Sequence, residues 1–493
     1  MTYRPKNYEE FAAYASTANV IPVSKKLPSD MLTPVAAYLK LRGAGKRSFL
    51  LESIEGNERI SRYSFIGVDP YLVIKARGEN LEYEQGDGIV SVEKGDIFTS
   101  LSKYLASFVV AKVPDMPPFV GGGVGYIGYD AIRSLERLGG GLADDLGIYD
   151  SVVMFFSAAV IFDHVKQSLL IVAGVFVSQE GASRQLYESA LATISDIENV
   201  LFGVVPAIDK TTRTLPPAIR SNVTKEGFES AVEKIRVHIR EGEILQATLS
   251  VRVVIDNFAP AFQLYRAIRT LSPAPYMFYL DIGEYQLMGA SYDMLLRCTG
   301  RRLDYRIAAG SCGRGATDVE DLLLAEELRA DEKKVAEHTL AVDLARGDLG
   351  RVCDYGSIEL FELMIVEKYS QMMQMVSSIK GRLANNKTSI DALAACLPAA
   401  KVSGAPKLRA IKLMDELENT RRGPYAGVIL YLDYSRNLDS CITISTVICK
   451  QGQAYAQAGE SIVADSVPDK KYLETINKVR LLLKSVEIAE KEI

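Results

Sequence analysis

Two glutamates in the chain each follow a lysine by three residues: Glu337, in Ala336-Glu-His338, follows Lys334, and Glu474, in Tyr472-Leu-Glu-Thr475, follows Lys471. On a helix this spacing puts ammonium and carboxylate on one face. Carboxylate oxygens suit Mg²⁺, which keeps several waters and takes one or two such ligands, but an adjacent ammonium opposes a second cation. Taken alone, both glutamates read as solvated helix surface. The densest glycine run, Gly121-Gly-Gly-Val-Gly-Tyr-Ile-Gly-Tyr-Asp130, lacks the Lys-Ser/Thr of a phosphate loop and the strand-to-helix setting of a dinucleotide fingerprint. It reads as tight turns between packed strands. The six cysteines include no CxxC pair, and none sits in Gly-x-Cys-x-Gly, so the residues point to reduced thiols and give no glutaminase nucleophile.

The elements that must position such groups follow from pattern. A chain of 493 residues exceeds what one ordinary core needs, which predicts two units or one large one. Residues 203–221 carry three prolines and no sustained periodicity, which predicts a linker between an N-terminal region, 1–202, and a larger C-terminal domain, 222–493. Tyr71–Lys75, Ser151–Phe156 and Leu169–Ala173 are β-prone. Lys225–Glu241 has helical spacing with Thr224 as its cap, Val319–Leu349 reads as one long helix, and Lys470–Val486 as another. Without regular βα alternation, the expected class is α+β. A net charge of -5 with interspersed signs leaves no footprint for nucleic acid. No apolar run reaches the roughly 18 to 20 residues of a membrane span. A cytoplasmic protein off the membrane is expected.

Four strings near the C-terminus carry a family likeness: Lys401-Val-Ser-Gly-Ala-Pro-Lys407, Arg421-Arg-Gly-Pro-Tyr-Ala-Gly427, Gln457-Ala-Gly-Glu-Ser-Ile-Val463 and Tyr472-Leu-Glu-Thr-Ile-Asn-Lys478. Together they resemble the chorismate-binding enzymes, and among these the anthranilate synthase component I family. The likeness covers the chain from about Leu50 onward, is most specific after Asn222 and leaves out the first forty residues. It implies two mainly antiparallel sheets packed as a sandwich with helices outside. It also implies conversion of chorismate and ammonia to anthranilate and pyruvate in tryptophan biosynthesis, with ammonia from a separate glutamine amidotransferase subunit. By the same resemblance Glu337 and Glu474 are Mg²⁺ ligands. Gly310, Ser311, Tyr425, Gly459, Glu460 and Ser461 meet the substrate, and Ser53, Pro275, Tyr276 and Met277 form a tryptophan feedback site. Gln246 stands where isochorismate and salicylate synthases carry a water-activating lysine, which suits ammonia as nucleophile. Ala309 stands where common aminodeoxychorismate synthases carry a reactive lysine.

Several positions depart from the family's pattern. Asp293 replaces a longer general acid, Gln374 a histidine beside the substrate, Ser445 an arginine clamp and Lys401 a substrate-contacting threonine. Lys334 and Lys471 stand where glutamates are usual, changing the formal charge around the metal position from four negative charges to none. These residues fit either carboxylate binding by lysines without metal or a retained fold around an altered site. A non-catalytic homologue that senses tryptophan or binds a partner, or an enzyme making another chorismate product, is the competing reading.

Overall fold

Runs such as Val20–Pro28, Ser151–Phe156 and Gln246–Asp256 combine β-branched and aromatic residues with near-complete burial, and assemble into sheets covered on both faces. In the computed structural model, every residue is described except 1, 44–46, 55–61, 87, 137, 140, 179–180, 207–217, 257–259, 371 and 492–493. One sheet runs, edge to edge, through Thr2–Arg4, Val20–Pro28, Ser168–Phe176, Ala158–Asp163, Tyr63–Val68, Ser48–Glu52, Tyr276–Asp281, Gln286–Ser291, Thr446–Lys450, Gln453–Ile462, Gln246–Asp256 and Ile219–Ser221, with Gly404–Ala405 also paired to Gln246–Asp256. The other runs through Glu359–Lys368, Met372–Arg382, Arg302–Gly313, Met294–Thr299, Leu438–Ile442, Val428–Asp433, Gly122–Ile127, Ser151–Phe156, Leu72–Arg77, Asn80–Gln85 and Gly88–Lys94. Each strand neighbours its partners antiparallel.

A core rich in Phe49, Phe65, Tyr126, Phe156, Phe278 and Leu287 lies between the sheets and draws on both. Helices cover the outer faces, with Phe228, Tyr265 and Val479 packed on one sheet and Phe98, Val342 and Ile411 on the other. At about 1.5–3 kcal/mol for each large buried apolar side chain, these layers supply the main favourable energy. The α+β sandwich with external helices is therefore the observed architecture.

Strands from residues 1–202 and from 222–493 share both sheets, so the two stretches form one body. Most of the 203–221 linker, residues 207–217, lies outside the described residues. Its last three residues differ from expectation, because Ile219–Ser221 pairs with Val253–Ile255 as an edge strand.

Two further expectations are corrected. Gly122–Ile127 is a fully buried strand and not a set of turns. Its glycines admit close neighbours: a Cβ on Gly122 would lie 2.0 Å from the Leu432 carbonyl oxygen. The Val319–Leu349 stretch is two helices, Asp318–Ala330 and Glu332–Gly350. Asp331 breaks it, since its side chain accepts from the Lys333 and Lys334 N–H groups and caps the second helix. By contrast, Lys225–Arg240 matches its predicted helix, with Thr224 accepting from Gly227 N–H. The C-terminal helix extends further than predicted, over Pro468–Lys491.

Gly404 holds φ at +135°, and a Cβ there would meet the Gln246 carbonyl oxygen at 2.4 Å. Gly404→Ala is expected to destabilise the fold by about 3 kcal/mol or more. Urea titration of both proteins, followed by circular dichroism, measures the difference.

Candidate functional site

Several predicted site residues meet where the Gln246–Asp256 strand lies against Gln453–Ile462 and Gly404–Ala405. Thr248 faces Ser461, Leu249 faces Glu460 and Ser250 faces Gly459. Ser461 Oγ donates toward Gln246 Oε1 at 3.5 Å, a long contact, and Gln246 is buried. The Tyr425 hydroxyl sits over Gly459, 2.8 Å from where a Cβ would be, so glycine is required there.

Two buried arginines hold this frame. Arg422 donates to the Val402 and Thr248 carbonyl oxygens at 2.7 and 2.5 Å and to Glu418 at 2.7 and 2.8 Å. Arg252 pairs with Asp145 and donates to the Arg421 and Arg422 carbonyl oxygens at 2.5 and 3.2 Å. Neither was singled out from sequence. The doubled Arg421-Arg422 before Gly-Pro was the available signal.

The second wall is an irregular stretch of the Arg302–Gly313 strand. Between Ala308 and Ser311 its register against Met372–Arg382 shifts, and Ser311 then faces Gln374. Gly310 takes φ +77° at this bulge, and a Cβ on it would approach Met375 at 2.7 Å and the Lys334 Cβ at 3.4 Å. His338, fully buried, fastens the Glu332–Gly350 helix to the bulge. Its Nδ1 lies 2.8 Å from the Ala309 carbonyl oxygen and its Nε2 2.7 Å from Ser377 Oγ. A carbonyl only accepts, so Nδ1 carries the hydrogen.

Asp293 and Lys401, both departures from the family pattern, form one unit. Lys401 Nζ donates to Asp293 Oδ2 at 2.7 Å, while Asp293 Oδ1 is buried without a hydrogen-bond partner among the described residues. The adjoining cavity, lined also by Tyr305, Ala308 and Ala341, measures about 30 Å³. Gln374 Oε1 is likewise buried and without a partner among the described residues. Ser445 occupies a turn at φ +48°, and its carbonyl accepts from Ala290 N–H at 3.3 Å.

Glu474 and Glu460 share a neighbour, which is a lysine. Lys471 Nζ lies 2.8 Å from Glu474 and 3.8 Å from Glu460, and its charge acts on Glu337. Burial works against the Lys471 ammonium, but Glu474, Glu460 and Glu337 outweigh it and raise its pKa. Burial raises the Glu337 pKa, with Lys333 and Lys471 pulling the other way. Lys478 adds a contact of 2.5 Å to Glu460, and Lys333 bridges to Asp465 at 2.9 Å.

These residues do not fit a Mg²⁺ centre. Lys471 already occupies the space between Glu474 and Glu460, so a dication at these carboxylates would have to displace an ammonium or sit beside it, and like charges oppose that. Glu474 is engaged by Lys471, whose charge also acts on Glu337. Among the described residues, the one group of His, Asp, Glu or Cys with converging ligand atoms is His238, Glu241 and Glu243, elsewhere on the surface.

The four residues expected at a regulatory site converge on a separate cavity of about 540 Å³, where Ser53, Pro275, Tyr276 and Met277 line one side. Ser53 Oγ donates to the Pro275 carbonyl oxygen at 2.5 Å. Phe65, Phe278, Ile429 and Tyr431 make the cavity apolar, and Arg62, Arg297 and Asp439 add charge. Arg297 is paired with Asp439 at 2.7 Å, and the Tyr276 hydroxyl donates to the same carboxylate at 3.1 Å. Arg62, Arg297 and Asp439 were not anticipated, since no motif marks them.

Residues 46–484 match the chorismate binding enzyme family. The chain is 39% identical over 489 residues to anthranilate synthase component 1 of Acetivibrio thermocellus, covering 98% of each sequence. It is 40% identical over 474 residues to the protein of that name from Thermus thermophilus, covering 95% of this chain and 98% of the relative. The crystal structure of anthranilate synthase component I from Streptococcus pneumoniae TIGR4 superposes with a TM-score of 0.76 at 32% identity, over 92% of this chain and 98% of that one. The alignment with the Acetivibrio relative extends the likeness into the first forty residues, where sequence motifs had indicated none.

Burial holds the His338 pKa below its ordinary 6.5. As pH falls below about 6.5 the unfolded chain takes up a proton that the native chain resists, so stability declines there and is untouched by this residue above it. The urea midpoint is expected to fall between about pH 7 and pH 5.5, and less steeply in His338→Gln.

Proposed function

The chain belongs to the chorismate-binding enzymes, and from that premise we propose that it converts chorismate and ammonia to anthranilate, pyruvate and water, a step of tryptophan biosynthesis. The observation that carries this reading is the convergence of Gln246, Tyr425 and Gly459–Ser461 at one strand pair, whose Thr248 hydroxyl donates to the Lys401 carbonyl oxygen at 2.9 Å. Gly310 and Ser311 at the bulge, with the backbone of Gly459–Ser461, offer N–H donors to the substrate's carboxylates, and glycine allows the anion close to the chain. Gln246 neither takes nor gives a proton near neutral pH, so it suits a nucleophile such as ammonia that needs no base to generate it. The Lys401–Asp293 pair stands nearest the role of proton donor to the departing ring hydroxyl. Residues of this chain bind and orient; no step is assigned to a metal.

Ammonia is best supplied by a separate glutamine amidotransferase subunit. Burial pushes Cys298 up to about 12 and Cys353 up to about 11, and also raises Cys312, Cys396, Cys441 and Cys449. A thiol held protonated is a poor nucleophile toward glutamine. The 540 Å³ cavity suits tryptophan as a feedback ligand, since its walls are apolar and its rim carries both charges. No helix among the described residues is long and apolar enough to cross a membrane, and we place the reaction in the cytoplasm.

A second reading, a tryptophan-binding homologue without turnover, is favoured by one contrast: the regulatory cavity is about 540 Å³, whereas the space beside Asp293 and Lys401 is about 30 Å³. Anthranilate fluorescence, followed with chorismate and ammonium salt, separates the two. Product with ammonium alone is expected, and tryptophan is expected to inhibit it. Ser53→Phe, which fills the larger cavity, should abolish inhibition while leaving turnover within about twofold. Tryptophan binding without any product would establish the second reading instead.

A further inference from the structure

The acidic residues expected to collect a divalent cation already enclose a positive charge belonging to the chain. Lys471 reaches Glu474 at 2.8 Å and Glu460 at 3.8 Å, and Glu337 feels the same ammonium. Its side chain is 19% exposed, so the charge sits within the wall of the site. Lys334 is held differently. Among the described residues its ammonium has a single ion-pair contact, 3.6 Å to Asp331, the residue that caps its own helix. Its stem lies against Gly310, where a Cβ would come within 3.4 Å of Lys334 Cβ. One lysine thus sits among the carboxylates as a counter-charge, and the other stands loosely paired beside the backbone bulge that offers N–H groups.

Resting on the reading above and deepening it, we propose that this site binds its diacid substrate without a divalent cation. Lys471 acts as a tethered counter-charge to Glu337, Glu460 and Glu474, and Lys334 grips a substrate carboxylate at the Gly310–Ser311 bulge. A fixed ammonium needs no metal ion to enter and meets the carboxylate as a point charge with three donors. The arrangement explains why four lysines, Lys333, Lys334, Lys471 and Lys478, gather around acidic side chains that would otherwise repel one another.

The test measures binding directly. Isothermal titration of the full chain with chorismate, in EDTA and again with excess Mg²⁺, is expected to give the same affinity in both. Mn²⁺ titration followed by electron paramagnetic resonance, with His238 and Glu243 of the separate surface ligand group replaced by alanine throughout, is expected to show no saturable site in the parent protein. A Lys334→Glu, Lys471→Glu double variant is expected to gain one. Lys334→Met, which removes the charge but keeps an apolar stem, should weaken chorismate binding roughly tenfold in EDTA and cover the case in which the double variant does not fold. Chorismate binding that appears only with Mg²⁺, or a saturable Mn²⁺ site in the parent, overturns the inference and leaves the enzyme reading standing. Absence of chorismate binding in both conditions removes the substrate assignment and the inference with it.

Discussion

The burial of two guanidinium groups fixes the geometry on which the site depends. Placing an ion in a protein interior costs several kcal/mol unless its donors are met, and Arg252 and Arg422 are each met by two backbone carbonyls of the segments they join and by side chains, Asp145 and Gln457 for the first and Glu418 for the second. Arg422 ties Thr248 to Val402 and so fixes the Gln246 strand relative to the Lys401 helix. Arg252 ties that strand to the chain entering Gly423–Tyr425. Glu418 completes the arrangement by accepting from Arg422 and from the N–H and hydroxyl of Ser250. Moving any one of these segments would strand a charge, so the site's floor is held by electrostatic satisfaction as much as by packing.

Above that floor, charge has been redistributed in two coupled places. Asp293 is a short carboxylate that reaches a lysine, and the acidic residues near the C-terminal helix enclose another. Both are ion pairs within or at the edge of the protein, where a lone partner would be costly. The substitutions therefore stabilise each other, and Lys401 and Asp293 are understood together more readily than singly.

The sequence made the sheets legible because strands such as Ser151–Phe156 are continuous apolar runs, and the helices Lys225–Arg240 and Pro468–Lys491 because their apolar spacing is regular. The Gly122–Ile127 strand was hidden, since glycine usually signals a turn and only the closeness of Leu432 and Val152 explains it here. Asp331 was hidden for a related reason: its capping of a second helix depends on backbone geometry that helical periodicity does not register. Residues with a linear motif, such as Gly459–Ser461, could be singled out in advance, and the structure sets them on a strand against Thr248–Ser250. The Lys401–Asp293 contact spans 108 residues, and no local pattern encodes it.

The strand order also governs how the chain must assemble. Thr446–Ile462 joins Gln286–Ser291 to Gln246–Asp256 in one sheet, and Val428–Ile442 joins Met294–Thr299 to Gly122–Ile127 in the other. A nascent polypeptide emerging from the ribosome can close neither layer until nearly its whole length is free, so earlier strands wait with open edges. Such non-local pairing makes maturation slow and exposes intermediates to self-association, a burden that falls on the cell's chaperones before any catalyst exists.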